Sequence, residues 1–417
     1  MVSGSFQAQE LSTRETISGE SPHTSFPPEQ SGRMHSFLSR RTFSWTRRLR
    51  LLLSILPLAL LVLLAACAPP PPHTMIYAVS QMGTVYAVSG IDGSIRWSHH
   101  MSGDNDSPWG AAGGFILDHG IIHTSSSVSG GYVYAFEAQT GAVLWHTQVH
   151  PQGLPSTPTL ANGVIYVSVT DTSLTSSHVS AFKATDGSLL WRVQIEGCGT
   201  PPVVVGQSLY LNAGPCTGVG PRKGAVYALN ADNGSVRWRA SVANIMGYEP
   251  LVLNGVVYSD GGNTLVALRA ADGSLLWSKQ FVLDDRAPLV GAGKTLYLGG
   301  GSSLTAVRAS DGKQLWQVHV GDHGWYDPTV IGNTVYVVSF FESELYAFRA
   351  QDGTSLWSYQ TQASSAGSFP VGMENIIYSS SLDGTIYELA AADGTLIAKY
   401  ALPDATLFTH VPLAVGP

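Results

Sequence analysis

The side chains best equipped for chemistry gather in one short stretch, Asp322-His323-Gly324-Trp325-Tyr326-Asp327, where an imidazole stands between two carboxylates. Such a group can hold a divalent cation. A single histidine with two loop carboxylates more commonly makes hydrogen bonds that steady a turn. The stretch is read in that way, and no metal site is expected. His99 and His100 are adjacent; successive side chains on a strand point to opposite faces, so the two cannot easily chelate one ion. Cysteine chemistry is sparse, with only Cys67, Cys198 and Cys216 and no adjacent pair. Cys198 and Cys216 flank a hairpin whose tight turn falls near Gly206-Gln207. Cross-strand neighbours lie within disulfide reach, so a bond between them is expected; two free thiols are the alternative.

What must position these groups is a repeat. An apolar stretch, a turn ending in glycine and an aromatic four residues later recur from end to end. The glycines are Gly93, Gly141, Gly187, Gly234, Gly273, Gly312, Gly353 and Gly394. Seven are followed by Trp97, Trp145, Trp191, Trp238, Trp277, Trp316 and Trp357, while the eighth is followed by Ala398. Their spacing is that of one four-stranded blade. Within a unit, Glu249 to Ser259 is two apolar runs joined by Asn254-Gly255, a hairpin turn that needs positive φ. Thr264 to Arg269 forms a third strand and Ser274 to Lys279 a fourth. A proline opens each first strand: Pro108, Pro158, Pro201, Pro250, Pro288, Pro328, Pro370 and Pro412. Proline lacks the N–H that a ladder needs and is tolerated at a strand's first residue.

The ends of the array complete one another. The chain finishes with a first strand, near His410 to Pro417, that has no second. The folded region begins at Met75-Ile76-Tyr77-Ala78-Val79, a second strand with no first. The predicted fold is all-β: an eight-bladed β-propeller over residues 75–417, of four-stranded antiparallel blades. Its first blade is closed by the C-terminal strand beside three N-terminal ones. Closure removes the open edge that every β array must manage.

Composition agrees. The chain is 44% hydrophobic and 12% charged, which suits a packed β protein rather than disorder. Setting aside the seven arginines and four glutamates of residues 1–66 leaves 15 basic and 25 acidic residues, a body near −10. An acidic body argues against nucleic acid or an anionic membrane surface as ligand.

The front of the chain reads as an address. Arg47, Arg48 and Arg50 precede the apolar run Leu51 to Leu64, followed by Ala65-Ala66-Cys67. A basic region, a short apolar core and small residues before a cut make a secretory signal. The run is short for the roughly 20 residues that a spanning helix needs. Cysteine at the first mature position resembles the lipobox of bacterial lipoproteins, so Cys67 is the expected lipidation site. Residues 34–66 are then the signal peptide and 67–74 a proline-rich tether. Residues 1–33 are read as disordered, or as preceding a true start at Met34. Ser39-Arg40-Arg41-Thr42-Phe43 resembles a twin-arginine export signal. The expected location is a bacterial membrane surface facing the periplasm or the exterior.

The repeat resembles the tryptophan-docking motif of the pyrroloquinoline quinone (PQQ) propeller family, with alanine six residues before the glycine and tryptophan four after. Ala87, Ala135, Ala181, Ala228, Ala267, Ala306 and Ala347 hold the alanine position, and Glu388 departs from it. The resemblance implies an eight-bladed ring in which each tryptophan packs on the neighbouring blade. It also implies one of two occupations. Some members are dehydrogenases holding the quinone and calcium on the propeller axis. Others are cofactor-free lipoproteins that bind protein segments, such as the propeller subunit of the outer-membrane β-barrel assembly machine. Nothing here matches the adjacent-cysteine disulfide of the alcohol dehydrogenase group, and the blades carry no long insertions to wall a pocket. The expectation is therefore a non-catalytic, monomeric, cofactor-free scaffold for a protein or peptide partner. The alternative is a PQQ-dependent dehydrogenase with quinone and calcium. The expected binding mouth lies on the blade-to-blade loops, at Trp109, Tyr248, Glu249, Arg286, His323, Trp325, Tyr326, Asp327, Phe369 and His410.

Overall fold

The computed structural model describes residues 74–416, apart from 81–82, 102–111, 127–130, 151–152, 172–173, 216–222, 244, 246–247, 282–288, 301, 322–325, 340–341, 362–369, 382 and 404–412. The regular elements among these are β-strands, arranged in eight antiparallel sheets. From the axis outward, blade 1 is Leu413–Gly416, Met75–Val79, Thr84–Ser89 and Ile95–His100. Blade 2 is Ala112–Asp118, Ile121–Ser126, Tyr132–Glu137 and Val143–Gln148. Blade 3 is Thr159–Ala161, preceded by the short pair Leu154–Pro155, then Val164–Thr170, Ser176–Lys183 and Leu189–Glu196. Blade 4 is Cys198–Gly199 with Val203–Val205, Ser208–Gly214, Lys223–Asn230 and Val236–Ala243. Blade 5 is Leu251–Leu253, Val256–Asp260, Thr264–Arg269 and Leu275–Gln280. Blade 6 is Val290–Ala292, Thr295–Gly300, Ser303–Arg308 and Gln314–His319. Blade 7 is Tyr326–Ile331, Thr334–Ser339, Glu344–Arg349 and Ser355–Gln360. Blade 8 is Val371–Met373, Ile376–Ser380, Thr385–Ala390 and Leu396–Ala401.

The ring closes as the two incomplete ends require. Met75 pairs with Gly416, Ile76 with Val415, Tyr77 with Ala414 and Ala78 with Leu413. Most of the buried apolar surface lies between blades. Each cluster of buried side chains joins two neighbours, from Tyr77, Val85, Ile122 and Phe136 across blades 1 and 2 to Ile76, Val88, Tyr378 and Ile386 across blades 8 and 1. The clusters between them complete the circuit. The ring is one continuous apolar wall, and among the described residues each cluster is shared between two blades.

Blade 4 shows how the repeated residues make each joint. Tyr210, Ala228 and Trp238 lie side by side across three strands, with a β-bulge directly after Ala228. Alanine is the small member, so both rings can lean over it; their centroids are 5.9 Å apart. The Trp238 indole N–H donates to the Ala270 carbonyl of blade 5 at 2.9 Å, and the Tyr210 hydroxyl donates to the same oxygen at 3.1 Å. The indole face lies against Gly273, whose φ is +74°. A Cβ there would come within 2.6 Å of the ring. Glycine is therefore required twice over, by backbone conformation and by space. The other six tryptophans donate to the equivalent carbonyls of Ala138, Ala184, Ala231, Ala309, Ala350 and Ala391.

The eighth joint is built differently. Glu388 takes the alanine place, opposite Tyr378 on one side and Ala398 on the other. Tyr400, two residues beyond Ala398 and so on the same face of the strand, fills the missing indole's slot. Its ring lies over Gly93 and its hydroxyl donates to the Gly90 carbonyl at 3.2 Å. Glu388 is left completely buried, and neither its carboxylate oxygens nor the Tyr378 hydroxyl has a hydrogen-bond partner. Burial pushes its carboxyl up to about 7.

Candidate functional site

Each blade runs from the axis outward, so its turns alternate between the two faces of the ring. Turns between first and second strands, and between third and fourth, share one face, here the turn face. Turns between second and third strands emerge on the other, the connection face, together with the blade-to-blade connections.

The polar groups of the two faces are used differently. On the turn face, Asp92, Asp186, Asp272, Asp311, Asp352 and Asp393 each accept the backbone N–H two residues on. Asn233 does the same in blade 4. Arg96, Arg269, Arg308 and Arg349 stand 3.2–3.7 Å from the aspartate of their own turn. Hydrogen bonds from the side chain and backbone of Ser94 pull the Asp92 carboxyl down to about 2. These carboxylates close turns, which is a structural task. This face also carries a cavity of about 680 Å³ between blades 1 and 2, with Arg96, His119 and Glu137 on its walls.

On the connection face, carboxylates are gathered by other side chains instead. Glu342 and Glu344 both accept from the Tyr346 hydroxyl, at 3.2 and 2.8 Å. Burial and these two carboxylates push the phenol upward from its ordinary value. In the connection between blades 4 and 5, Asn212 Nδ2 donates to the Tyr248 carbonyl at 2.8 Å, and Ser259 Oγ donates to Asn212 Oδ1 at 3.0 Å. That chain ties the connection to the second strands of both blades. Beside Tyr248, Glu249 is exposed, yet crowding by protein raises its carboxyl above the ordinary range.

A further polar group on this face is one that sequence reasoning missed. His150 follows the outer strand of blade 2, and Asp171 and His178 flank the second-to-third turn of blade 3. His178 Nδ1 lies 3.0 Å from Asp171 Oδ1, and His150 Nε2 lies 3.8 Å from the same oxygen. The two imidazole rings stack with centroids 5.9 Å apart. Ser176 Oγ donates to Asp171 Oδ2 at 2.6 Å. Burial alone would raise the Asp171 carboxyl, but the hydrogen bonds from Ser176 and His178 and the two imidazoles outweigh it, and the net shift is downward. The signal was present: both segments fall where the repeat returns to the connection face. The 21 and 28 residues separating His150 from Asp171 and from His178 match no local motif.

Of the expected mouth residues, Tyr248 and Glu249 sit on the connection face. Tyr326 and Asp327 do not lie in a loop: they are the first residues of the inner strand Tyr326–Ile331, opposite Ser339 and Val338. Pro328 therefore sits inside that strand rather than opening it. The innermost strand has a free edge toward the axis, where a missing N–H costs no ladder bond. Trp109, Arg286, His323, Trp325, Phe369 and His410 lie outside the described residues, as do Cys67 and Cys216. The docking tryptophans Trp97, Trp145, Trp191, Trp238, Trp277, Trp316 and Trp357 stand at the joints described above.

Comparison with known proteins adds to this geometry. The family model described as outer membrane protein assembly factor BamB matches residues 81–176 and 175–397. Outer membrane protein assembly factor BamB of Moranella endobia (strain PCIT) is 25% identical over 231 residues, covering 51% of this chain and 56% of that protein. The chain thus spans little more than half the length of that curated relative. The crystal structure of BamB from Moraxella catarrhalis superposes with a TM-score of 0.57 at 18% identity, over 73% of this chain and 90% of that one. A quinohemoprotein alcohol dehydrogenase, ADHIIG from Pseudomonas putida HK5, superposes with a TM-score of 0.54 at 14% identity, over 71% and 66%. At such identities the two structures show the shared fold alone.

Proposed function

Taking as premise that this chain belongs to the family described as outer membrane protein assembly factor BamB, we propose that it is a non-catalytic envelope scaffold that holds protein segments on its connection face. The observation that carries the reading is the reach of the family match, from blade 1 into the outer strand of blade 8. The choice of face rests on side-chain use. Turn-face carboxylates are committed to their own turns, whereas Glu249 on the connection face is open to solvent.

The scaffold is exported on the signal of residues 34–66, lipidated on Cys67 and tethered by residues 67–74, and it works as a monomeric ring. A Cys198–Cys216 disulfide fastens the entry to blade 4. The disulfide-bonded state of the Cys198 sulfur supports this bond, and Cys198 pairs with Gly214, two residues before Cys216 in the chain. The partner is a protein or peptide segment, and outer-membrane protein assembly is the process that the family name suggests.

A photocrosslinker placed at Tyr248 or Glu249 of the full chain, in its native envelope, tests the proposal. Capture of a defined envelope protein from these positions, absent from a turn-face control at Lys313, is the expected result. A stoichiometric complex with PQQ and calcium that reduces a dye with alcohols or sugars would overturn it. Labelling with a radioactive fatty acid, lost in Cys67→Ala, checks the anchor.

A further inference from the structure

We propose that His150, Asp171 and His178 form a binding site for one borderline divalent metal ion of the zinc class. The site is independent of the scaffold reading and of any quinone chemistry.

The fold brings the three together from two blades. After the outer strand of blade 2, the Val149 N–H bonds to the Gly131 carbonyl at 2.8 Å, and Arg192 of blade 3 donates to the Val149 carbonyl at 2.7 Å. Leu154–Pro155 then pairs with Val169 and Thr170 at the end of blade 3's second strand. His150 is thereby pinned beside Asp171. Gly153 permits the approach, because a Cβ there would overlap Val169 and come within 2.9 Å of the His150 Cβ.

The spacing suits a small ion. Zinc bonds of about 2.0–2.2 Å in a tetrahedron put adjacent ligand atoms roughly 3.3–3.5 Å apart. The observed 3.0 and 3.8 Å bracket that separation. The candidate ligand atoms all lie within 4.8 Å of one another, so a modest rotation of two half-buried rings closes the set. Two imidazole nitrogens and one carboxylate oxygen, from two blades, thus converge on one small region.

The supporting shell is also present. Ser176 occupies Asp171 Oδ2, and Gln194 Nε2 donates to Ser176 Oγ at 3.1 Å. The carboxylate is thus held with Oδ1 turned to the histidines, as outer partners orient metal ligands elsewhere. The side chains of His150 and His178 are 28% and 26% exposed and that of Asp171 is 15% exposed. Three protein ligands at this depth leave a coordination position open to water or to a group from a partner. Two nitrogen donors favour zinc-class ions over calcium or magnesium. Bound there, the ion would clamp the connection between blades 2 and 3 onto the blade 3 hairpin.

The test titrates the full-length protein, stripped with chelator, with Co²⁺ and then Zn²⁺. One equivalent of Co²⁺ giving the visible d–d absorption of a low-coordinate site, bleached by one equivalent of Zn²⁺, is expected. His178→Ala and Asp171→Asn should each weaken binding by more than about tenfold, and Ser176→Ala by roughly tenfold. The chain has 13 histidines, so the His150→Ala/His178→Ala double variant sets the non-specific baseline. Wild-type binding no tighter than that baseline would overturn the proposal. Should the variants fail to fold, X-ray absorption of the zinc-loaded wild type decides: two imidazole ligands are expected, and fewer would sink the site.

Discussion

Replacing Glu388 with glutamine should stabilise the protein at neutral and alkaline pH and change little in mild acid. Glu388 is fully buried at the joint that closes the ring, without a hydrogen-bond partner on either carboxylate oxygen. Its folded carboxyl titrates near 7, against 4.5 for an ordinary glutamate. Between those values the unfolded chain releases a proton that the folded chain keeps. Stability from this group is therefore complete below pH 4.5 and is lost as pH rises through 7. Moving the midpoint from 4.5 to about 7, at 1.36 kcal/mol per pH step of one, is worth about 3 kcal/mol. Glutamine keeps the shape and cannot ionise, so its advantage over wild type should grow by about 3 kcal/mol from pH 4.5 to pH 8. Urea unfolding followed by tryptophan fluorescence measures it, with both proteins at each pH. Comparing the pair matters because buried His123, depressed to about 4, has the opposite slope. His123 belongs to the joint between blades 2 and 3, so its contribution cancels in the difference. A glutamine advantage that stays constant across pH would refute the reasoning, since Glu388 would then be ionising in contact with water.

Four further substitutions have outcomes set by the joints and turns. His123 holds the place that tyrosine takes in the other blades, with its Nδ1 buried and unpartnered. Its depressed folded value means that stability is present above 6.5 and lost as pH falls through about 4. His123→Tyr should remove that acid loss and add a hydrogen bond to blade 3 worth about 1 kcal/mol, read by denaturant unfolding at pH 5. Gly273→Ala places a methyl against the Trp238 ring at positive φ and should cost roughly 2–5 kcal/mol. Gly206→Ala also has positive φ but open space around it, so it should cost only about 1–2 kcal/mol by thermal unfolding. Tyr400→Phe removes the donor to the Gly90 carbonyl while keeping the ring over Gly93. A loss of about 1 kcal/mol is expected, with native-state hydrogen exchange speeding first at blades 1 and 8.

The propeller was legible because its joints recur. Gly234 and Trp238 would say little alone, but the same pair in seven blades marks a contact that must be made at each turn of the ring. The Met75–Val79 strand found its partner at Leu413–Gly416 from the same bookkeeping, since each end lacked what the other supplied. Where the pattern lapsed, the sequence reading stopped. Ala398 and Glu388 looked like decay, yet the structure places Tyr400 in the vacant slot, two residues further along the same face. A proline that opened its strand would leave Tyr326 and Asp327 in a loop; the edge strand instead accommodates Pro328 in its interior.

Strand alternation, glycine turns and in-phase tryptophans follow local periodicity, so the chain alone determined that eight blades form and in what order they stand. Which remote side chains meet depends on how neighbouring blades lean together, and no local spacing encodes that. Only the closed ring decided that a buried acid would share a joint with two tyrosines. It also decided that His150 would leave blade 2 to stand beside Asp171 and His178 of blade 3.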